Sequence, residues 1–332
     1  MDNVSEFWYI WVDTGGTFTD CLAQSPTGEI SRVKVLSTGR LRATVSMVLA
    51  QDQLVISCST TLPDNFLVGA NLIASTTGIQ VGEILQHDIR SGKCQLRRAM
   101  DHQLCSGELL ELDFGMEAPV LAARLITQTP PERPLPRAAF HLATTKSTNA
   151  LLERKGDPTG FVVTKGFRDL LKIGDQRRPD LFALNIDQAD PLHDLVFEFD
   201  ERMDALGDVL KPFDDEAFHQ LSDALLQAGF TTVAIAFLHA VQNSEHERKA
   251  REILQGKGIR HISCSSELAP FVKILPRAET SVVNAYLTPL MERYLDGVES
   301  ALSGGDFRIM TSAGGFVSRR DYRAKDSLFS GP

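Results

Sequence analysis

The 332 residues, 43% hydrophobic and 23% charged, give room for two or three domains with sizeable cores and argue against a disordered or fibrous chain. With 34 Lys and Arg against 43 Asp and Glu the formal charge is −9, which argues against nucleic acid as the principal ligand but leaves room for a local anion pocket. No apolar run approaches the roughly 20 residues that span a bilayer, and Met1–Glu6 lacks the basic flank and apolar core of a secretory signal, so a cytoplasmic, non-membrane protein is expected.

Tyr9–Val12 reads as a buried strand that meets a turn at Gly15 and Gly16; Phe18–Ala23 and Ile30–Leu36 follow as strands joined by Ser25–Gly28, an antiparallel meander. From about Leu41 to Thr127 apolar residues alternate with charged ones, as at Leu110, Leu112 and Phe114, which predicts a β-rich inserted module over 40–127. Gln128–Pro136 packs four prolines into nine residues and predicts a stiff connector over 128–137. Beyond it the pattern turns α/β. Ser147–Lys155 predicts a helix, Phe161–Thr164 a strand, Phe167–Lys172 a short helix, and Phe213–Ala228 an amphipathic helix leading into a strand over Thr231–Leu238. A helix over Glu245–Leu254 and a strand over Ile259–Cys264 repeat that grammar, and Thr280–Leu302 predicts a long helix bent at Pro289 before a strand over Phe307–Thr311. The sequence stops at Ser330-Gly331-Pro332 among turn signals, which reads as a chain cut short.

The five cysteines form no CxxC pair and read as reduced thiols; Cys105, beside Ser106 and Gly107, has no histidine motif near it to make it a nucleophile. His246-Glu247 lacks the second histidine of a zinc site, so no transition metal is expected. The sharpest signal is the octet Asp13-Thr14-Gly15-Gly16-Thr17-Phe18-Thr19-Asp20 directly after a strand. Two glycines let backbone N–H groups approach a polyanion, threonine hydroxyls add donors, and Asp13 at the strand end can hold a Mg²⁺-bound water. The plain alternative is a hairpin turn. Neither Gly-x-Gly-x-x-Gly nor Gly-x-x-x-x-Gly-Lys-Ser/Thr occurs, so Rossmann and P-loop chemistry are unsupported.

The octet resembles the first phosphate motif of the actin, sugar-kinase and heat-shock ATPase superfamily, and in particular of its hydantoinase A/5-oxoprolinase branch. His141–Glu153, Thr164–Asp169, Arg178–Phe182, Phe237–His239 with Asn243 and His246–Arg248, Ser312–Gly315 and Ser330–Pro332 resemble further blocks of that family in the same order. Leu142, Ala143 and Lys146 depart from its pattern, and no second phosphate loop occurs before Pro332. The resemblance implies an α/β fold, a ribonuclease H-like (actin-like ATPase) domain with a β-rich insertion, truncated before its second half is complete. Residues 1–39 and 138–278 would form the first lobe and 279–332 the start of the second.

It also implies an ATP-dependent hydrolase of a small cyclic amide, working with Mg²⁺ and with a hydantoinase B-like subunit or a fused C-terminal region. Asp13, Thr144 and Thr145 would be catalytic, Asp13 holding Mg²⁺ through water. Thr14, Gly15, Gly16, Thr17, Thr19 and Asp20 would bind the nucleotide, and Thr148, Asn149, Arg177 and Arg178 the substrate. Helix capping by Thr145 or Ser147, a loop ion pair from Arg177 or Arg178, and structural roles for His141 and His239 stand as the plainer alternatives. So do two other functions: an ATP-dependent ketone carboxylase subunit, and a nucleotide-binding sensor without turnover. With half the phosphate clamp missing, the chain alone is expected to hydrolyse ATP weakly.

Overall fold

The computed structural model describes residues 7–176 and 190–328, which divide into two compact units. The first holds the described residues up to Lys146, then Arg293–Tyr322 and those from Asp326; the second holds Ser147–Glu292 and Arg323–Lys325.

The chain opens with the expected meander, Trp8–Thr14 (β1), Phe18–Gln24 (β2) and Ile30–Leu36 (β3), with antiparallel pairing throughout. Its side chains alternate: Ile10, Val12 and Thr14 are buried, whereas Tyr9 and Trp11 stand 46% and 38% exposed on the other face. Six strands follow, Arg40–Ala50 (β4), Gln53–Cys58 (β5), Asn71–Ala74 (β6), Gln80–Asp88 (β7), Lys93–Leu96 (β8) and Leu109–Asp113 (β9), and close as a barrel in the order β4-β5-β8-β7-β6-β9. Val45, Leu54, Leu72, Ile84, Leu110 and Leu112 fill it without exposure, and closure leaves no open edge. The Arg40 fork ties its wall, bonding Glu111 at 2.8 Å and Asp113 at 2.9 Å.

The inserted module is therefore shorter than the expected 40–127. Ala118–Ile126 is a helix (α1), because its run of Ala, Val and Leu has no strand alternation and opens on Pro119 near its first turn. It packs on β1, β2 and β3 and buries every residue from Ala118 to Leu125. The connector that follows carries neither helix nor strand, and the Arg124 guanidinium holds it by donating to the carbonyls of Pro130 and Arg133. Ala138–Thr144 (β10) then pairs with β1 in parallel.

The second unit begins within the short helix Lys146–Leu152 (α2) and contains Gly160–Thr164 (β11), Leu170–Ile173 (α3), Leu195–Phe199 (β12), the small pair Arg202–Met203 (β13) and Val209–Lys211 (β14), Asp215–Gln227 (α4), Thr232–Ala236 (β15), Glu245–Gly256 (α5), His261–Cys264 (β16) and Ser265–Leu268 (α6). Its four main strands form a parallel sheet of their own, β12-β11-β15-β16, so of the 138–278 expected to share a lobe with 1–39 only the stretch up to Lys146 stays in the first unit. Phe161, Val163, Ala234 and Ala236 bury one face and Val162, Val233, Ile235 and Phe237 the other, the near-continuous apolar runs that a sheet covered on both sides requires.

Ile274–Ser300 (α7) is continuous through Pro289 and passes from the second unit into the first. Gly305–Met310 (β17) then pairs in parallel with β10, and Phe316–Ser318 (β18) completes the first sheet in the order β18-β17-β10-β1-β2-β3. Residues Gly305–Ser318 thus return to the first sheet, where 279–332 was expected to start a separate lobe. Phe307 packs its ring 6.0 Å from that of Phe140 on the neighbouring strand. Gly305 allows the return, since at φ 128° a Cβ would lie 1.9 Å from the Ala138 carbonyl oxygen.

Candidate functional site

The octet forms the hairpin end between β1 and β2, at the carboxyl ends of β1 and its parallel neighbour β10. Asp13 and Asp20 sit directly opposite each other in the pair, so both carboxylates lie on one face of the sheet. Their environments differ. Asp20 bonds Arg32 at 2.6 Å and Lys34 at 3.0 Å, and these, Arg32 foremost, hold its carboxyl below the usual range. Asp13 has no such support: its Oδ1 is buried with no hydrogen-bond partner among the described residues, and burial, then the Asp20 charge, push its carboxyl up.

The turn divides its donors. The Gly15 N–H is committed to the Phe18 carbonyl at 3.0 Å, whereas Gly16 and Thr17 are exposed and their N–H groups bond no backbone carbonyl among the described residues. Thr14 is buried, its hydroxyl accepting from Tyr294 at 3.3 Å, and Thr19 is fully buried with its hydroxyl 3.0 Å from that of Ser37. Of the six residues expected to bind nucleotide, only Gly16 and Thr17 therefore present open backbone donors, Asp20 is spent on two cations, and Thr14, Gly15 and Thr19 shape the turn.

Thr144 and Thr145 close the end of β10. Thr145 donates its N–H to the Thr14 carbonyl at 2.8 Å and its hydroxyl to the same oxygen at 3.3 Å, which ties the two strand ends together. The Thr144 hydroxyl, fully buried, accepts from the Lys146 N–H, and the Tyr294 phenol reaches it as well as Thr14. Burial raises the Tyr294 phenol far above its ordinary range, so it stays a neutral donor. Lys146, the departure noted in the sequence, lies 3.1 Å from Glu117 and 4.1 Å above the Tyr294 ring, bracing this end from the helical side.

On the opposite face a cavity of about 550 Å³ is lined by Trp11, Asp13, Asp20, Arg32, His141 and Phe316, among others. The Trp11 and His141 rings stack at 6.0 Å and Phe316 meets His141 edge-on at 5.0 Å. This aromatic wall escaped the sequence reading, since Trp11 and Phe316 lie about 300 residues apart and only strand register unites them; alternation on β1 could have placed Trp11 beside Asp13.

Thr148 and Asn149 lie half-buried on α2 in the second unit. Arg177 and Arg178, with the Arg178–Phe182 block, lie outside the described residues. All five cysteines are free, with burial pushing Cys21 up to about 12 and Cys58 up to about 11. Among the described residues no group of three or more His, Cys, Asp or Glu is placed to hold a metal ion. Two facing carboxylates, one with an unspent buried oxygen, still fit Mg²⁺, which is commonly held by one or two carboxylates together with water and substrate phosphates. No helix of the described residues is long and apolar enough to cross a membrane.

The model of the hydantoinase/oxoprolinase N-terminal region matches residues 9–118 and 122–258, and that of hydantoinase/oxoprolinase matches 277–332. The 5-oxoprolinase of Saccharomyces cerevisiae is 34% identical over 256 residues, covering 65% of this chain and 20% of the relative. Caprolactamase subunit alpha of Pseudomonas jessenii is 30% identical over 202 residues, 57% of this chain and 29% of the relative. Among solved structures, nucleotide-free acetone carboxylase matches with a TM-score of 0.59 at 18% identity, and the ATP-dependent caprolactamase of Pseudomonas jessenii with 0.54 at 23%; each match covers 98% of this chain and 38% of the other, and shows a shared α/β fold. The chain spans about a fifth of the length of the 5-oxoprolinases it matches. It belongs to the hydantoinase/oxoprolinase family.

Proposed function

We propose that this chain is the nucleotide-binding part of an ATP-dependent cyclic amide hydrolase built on an actin-like ATPase scaffold and working in the cytoplasm. An unstrained lactam is a poor electrophile. In the proposed reaction its carbonyl oxygen takes the γ-phosphoryl group of ATP and ADP leaves; water then adds at the activated carbon, the C–N bond breaks and phosphate departs. The N–H groups of Gly16 and Thr17 donate to the phosphate oxygens. Asp13 would hold Mg²⁺ through water; bound there, the ion would neutralise charge on the phosphates. Thr144 and Thr145 fix the geometry of the turn, and Thr148 and Asn149 bind the lactam. A hydantoinase B-like subunit or a fused C-terminal region completes ring opening.

The observation that carries this reading is the buried, unpartnered Oδ1 of Asp13 beside open amides at the end of a parallel strand. Its chemical direction rests on sequence relatives that are 5-oxoprolinases and a caprolactamase. The carboxylase alternative rests on a likeness at 18% identity, which carries fold alone. The test is ADP release by this chain joined to the remainder of a family enzyme, with 5-oxoproline or caprolactam against acetone plus bicarbonate. Lactam-dependent ADP release, lost in Asp13→Asn, is the expected result, with weak hydrolysis by the chain alone. Release dependent on the ketone, or none with any substrate, overturns the reading.

A further inference from the structure

Three blocks that carry the family resemblance, Thr164–Asp169, Phe237–His239 with Asn243, and His246–Arg248, take no part in the site on the first sheet. The second unit brings them to one place, the carboxyl ends of β11 and β15. Its strand order, β12-β11-β15-β16, reverses direction between those two strands, and in open parallel sheets the crevice outside such a reversal is where ligands bind.

The end of β15 is fixed at successive peptide groups by buried side chains. Phe237 donates its N–H to Glu247 at 3.0 Å and accepts from Arg277 at 3.0 Å, and Leu238 donates to the Thr164 hydroxyl at 2.8 Å. Thr164 in turn donates to Glu201, whose other oxygen lies 2.7 Å from His246 Nδ1. The next residue, His239, is held at φ 59°, a left-handed conformation that costs a histidine energy and persists where the surroundings impose it. Its imidazole is half-buried, and four residues on Asn243 donates to the Gly207 carbonyl at 3.0 Å, which ties this end to the loop Asp204–Asp208 between β13 and β14.

Two residues before Asp204, the Arg202 guanidinium lies 5.5 Å from the centre of the Phe167 ring and donates to the Lys165 carbonyl at 3.4 Å. Lys165 and Arg168 are each engaged by carboxylates, Asp200 and Glu198, but no carboxylate among the described residues pairs with Arg202. A planar fork backed by an aromatic ring, with no acid partner among the described residues, suits a ligand carboxylate. We propose that the carboxyl ends of β11 and β15 form a second site, for a small carboxylate-bearing cyclic amide, with Arg202 binding its carboxylate and His239 presented to its ring amide.

The identity of the ligand rests on the proposed function; the location does not. The test follows the histidine ring resonances of the 332-residue chain by NMR during titration with 5-oxoproline, and with caprolactam, which lacks the carboxylate. The expected result is a saturable shift of the His239 resonance with 5-oxoproline, weakened about tenfold or more in Arg202→Met, the loss expected for a charge-assisted pair, while caprolactam binding is unchanged by that variant. His239→Gly relieves the left-handed strain, so it keeps or raises Tm yet loses 5-oxoproline binding; a merely structural histidine would show no such loss. Absence of a saturable His239 shift with either lactam, or equal 5-oxoproline binding by Arg202→Met, overturns the proposal. In either case Mg·ATP shifts at Gly16 and Thr17 report separately on the first sheet.

Discussion

The two sheets finish their carboxyl ends in opposite ways. In the second unit Glu247 accepts from the Phe237 N–H, the Ser265 hydroxyl at 2.7 Å, and the Ser266 N–H and hydroxyl at 2.9 and 2.6 Å, with Arg277 at 4.0 Å. In the first, Asp13 keeps a buried oxygen with no donor at all among the described residues. A buried carboxylate saturated with donors fixes the backbone around it, whereas one left short costs stability and is retained where a ligand completes it.

That contrast predicts a graded set of outcomes. Removing Glu247 by Glu247→Ala strands the fully buried Arg277 guanidinium and should cost about 3–5 kcal/mol by chemical denaturation, enough to unfold the second unit. Glu201→Ala leaves the Thr164 hydroxyl and His246 without their shared acceptor and should cost about 1–3 kcal/mol in the same measurement. Tyr294→Phe removes the phenol's bonds to the Thr14 and Thr144 hydroxyls and should cost about 1 kcal/mol, with the Thr145–Thr14 tie intact.

Asp13→Asn should move stability the other way. Because the folded carboxyl titrates above its unfolded value of 3.8, ionising it opposes folding: the penalty is absent below 3.8, grows as pH rises through the raised value, and is constant above. Asp13→Asn should therefore raise Tm slightly at pH 7 and not at pH 3, read by thermal melts at both. A Tm that falls equally at both values would place Asp13 with Glu247 as a structural acid.

How much of this was legible in the sequence follows from range. The meander and the helices flanking β15 announce themselves through local alternation and glycine stops. The strand Gly305–Met310 gave no hint that it returns beside β10, because Phe307 meets Phe140 across more than 160 residues of chain. Local reading also took α1 into the β-rich insertion, since it follows β strands with only a short turn between. At the site, the octet identified the turn but not which donors it spends: Gly15 and Gly16 are equivalent in sequence, and only the hairpin register commits one N–H and frees the other. Arg202 lies outside every recognised block, and its availability to a ligand depends on Phe167 and on the lack of an acid partner among the described residues.

The most direct measurement is amide NMR of the chain with glycine and threonine labelled, titrated with Mg·ATP and repeated in Asp13→Asn. Saturable shifts centred on Gly16 and Thr17, weakened by the variant, are what an open phosphate-binding turn requires. Shifts confined to residues elsewhere, or a titration indifferent to Asp13, would mean that this hairpin is only a hairpin.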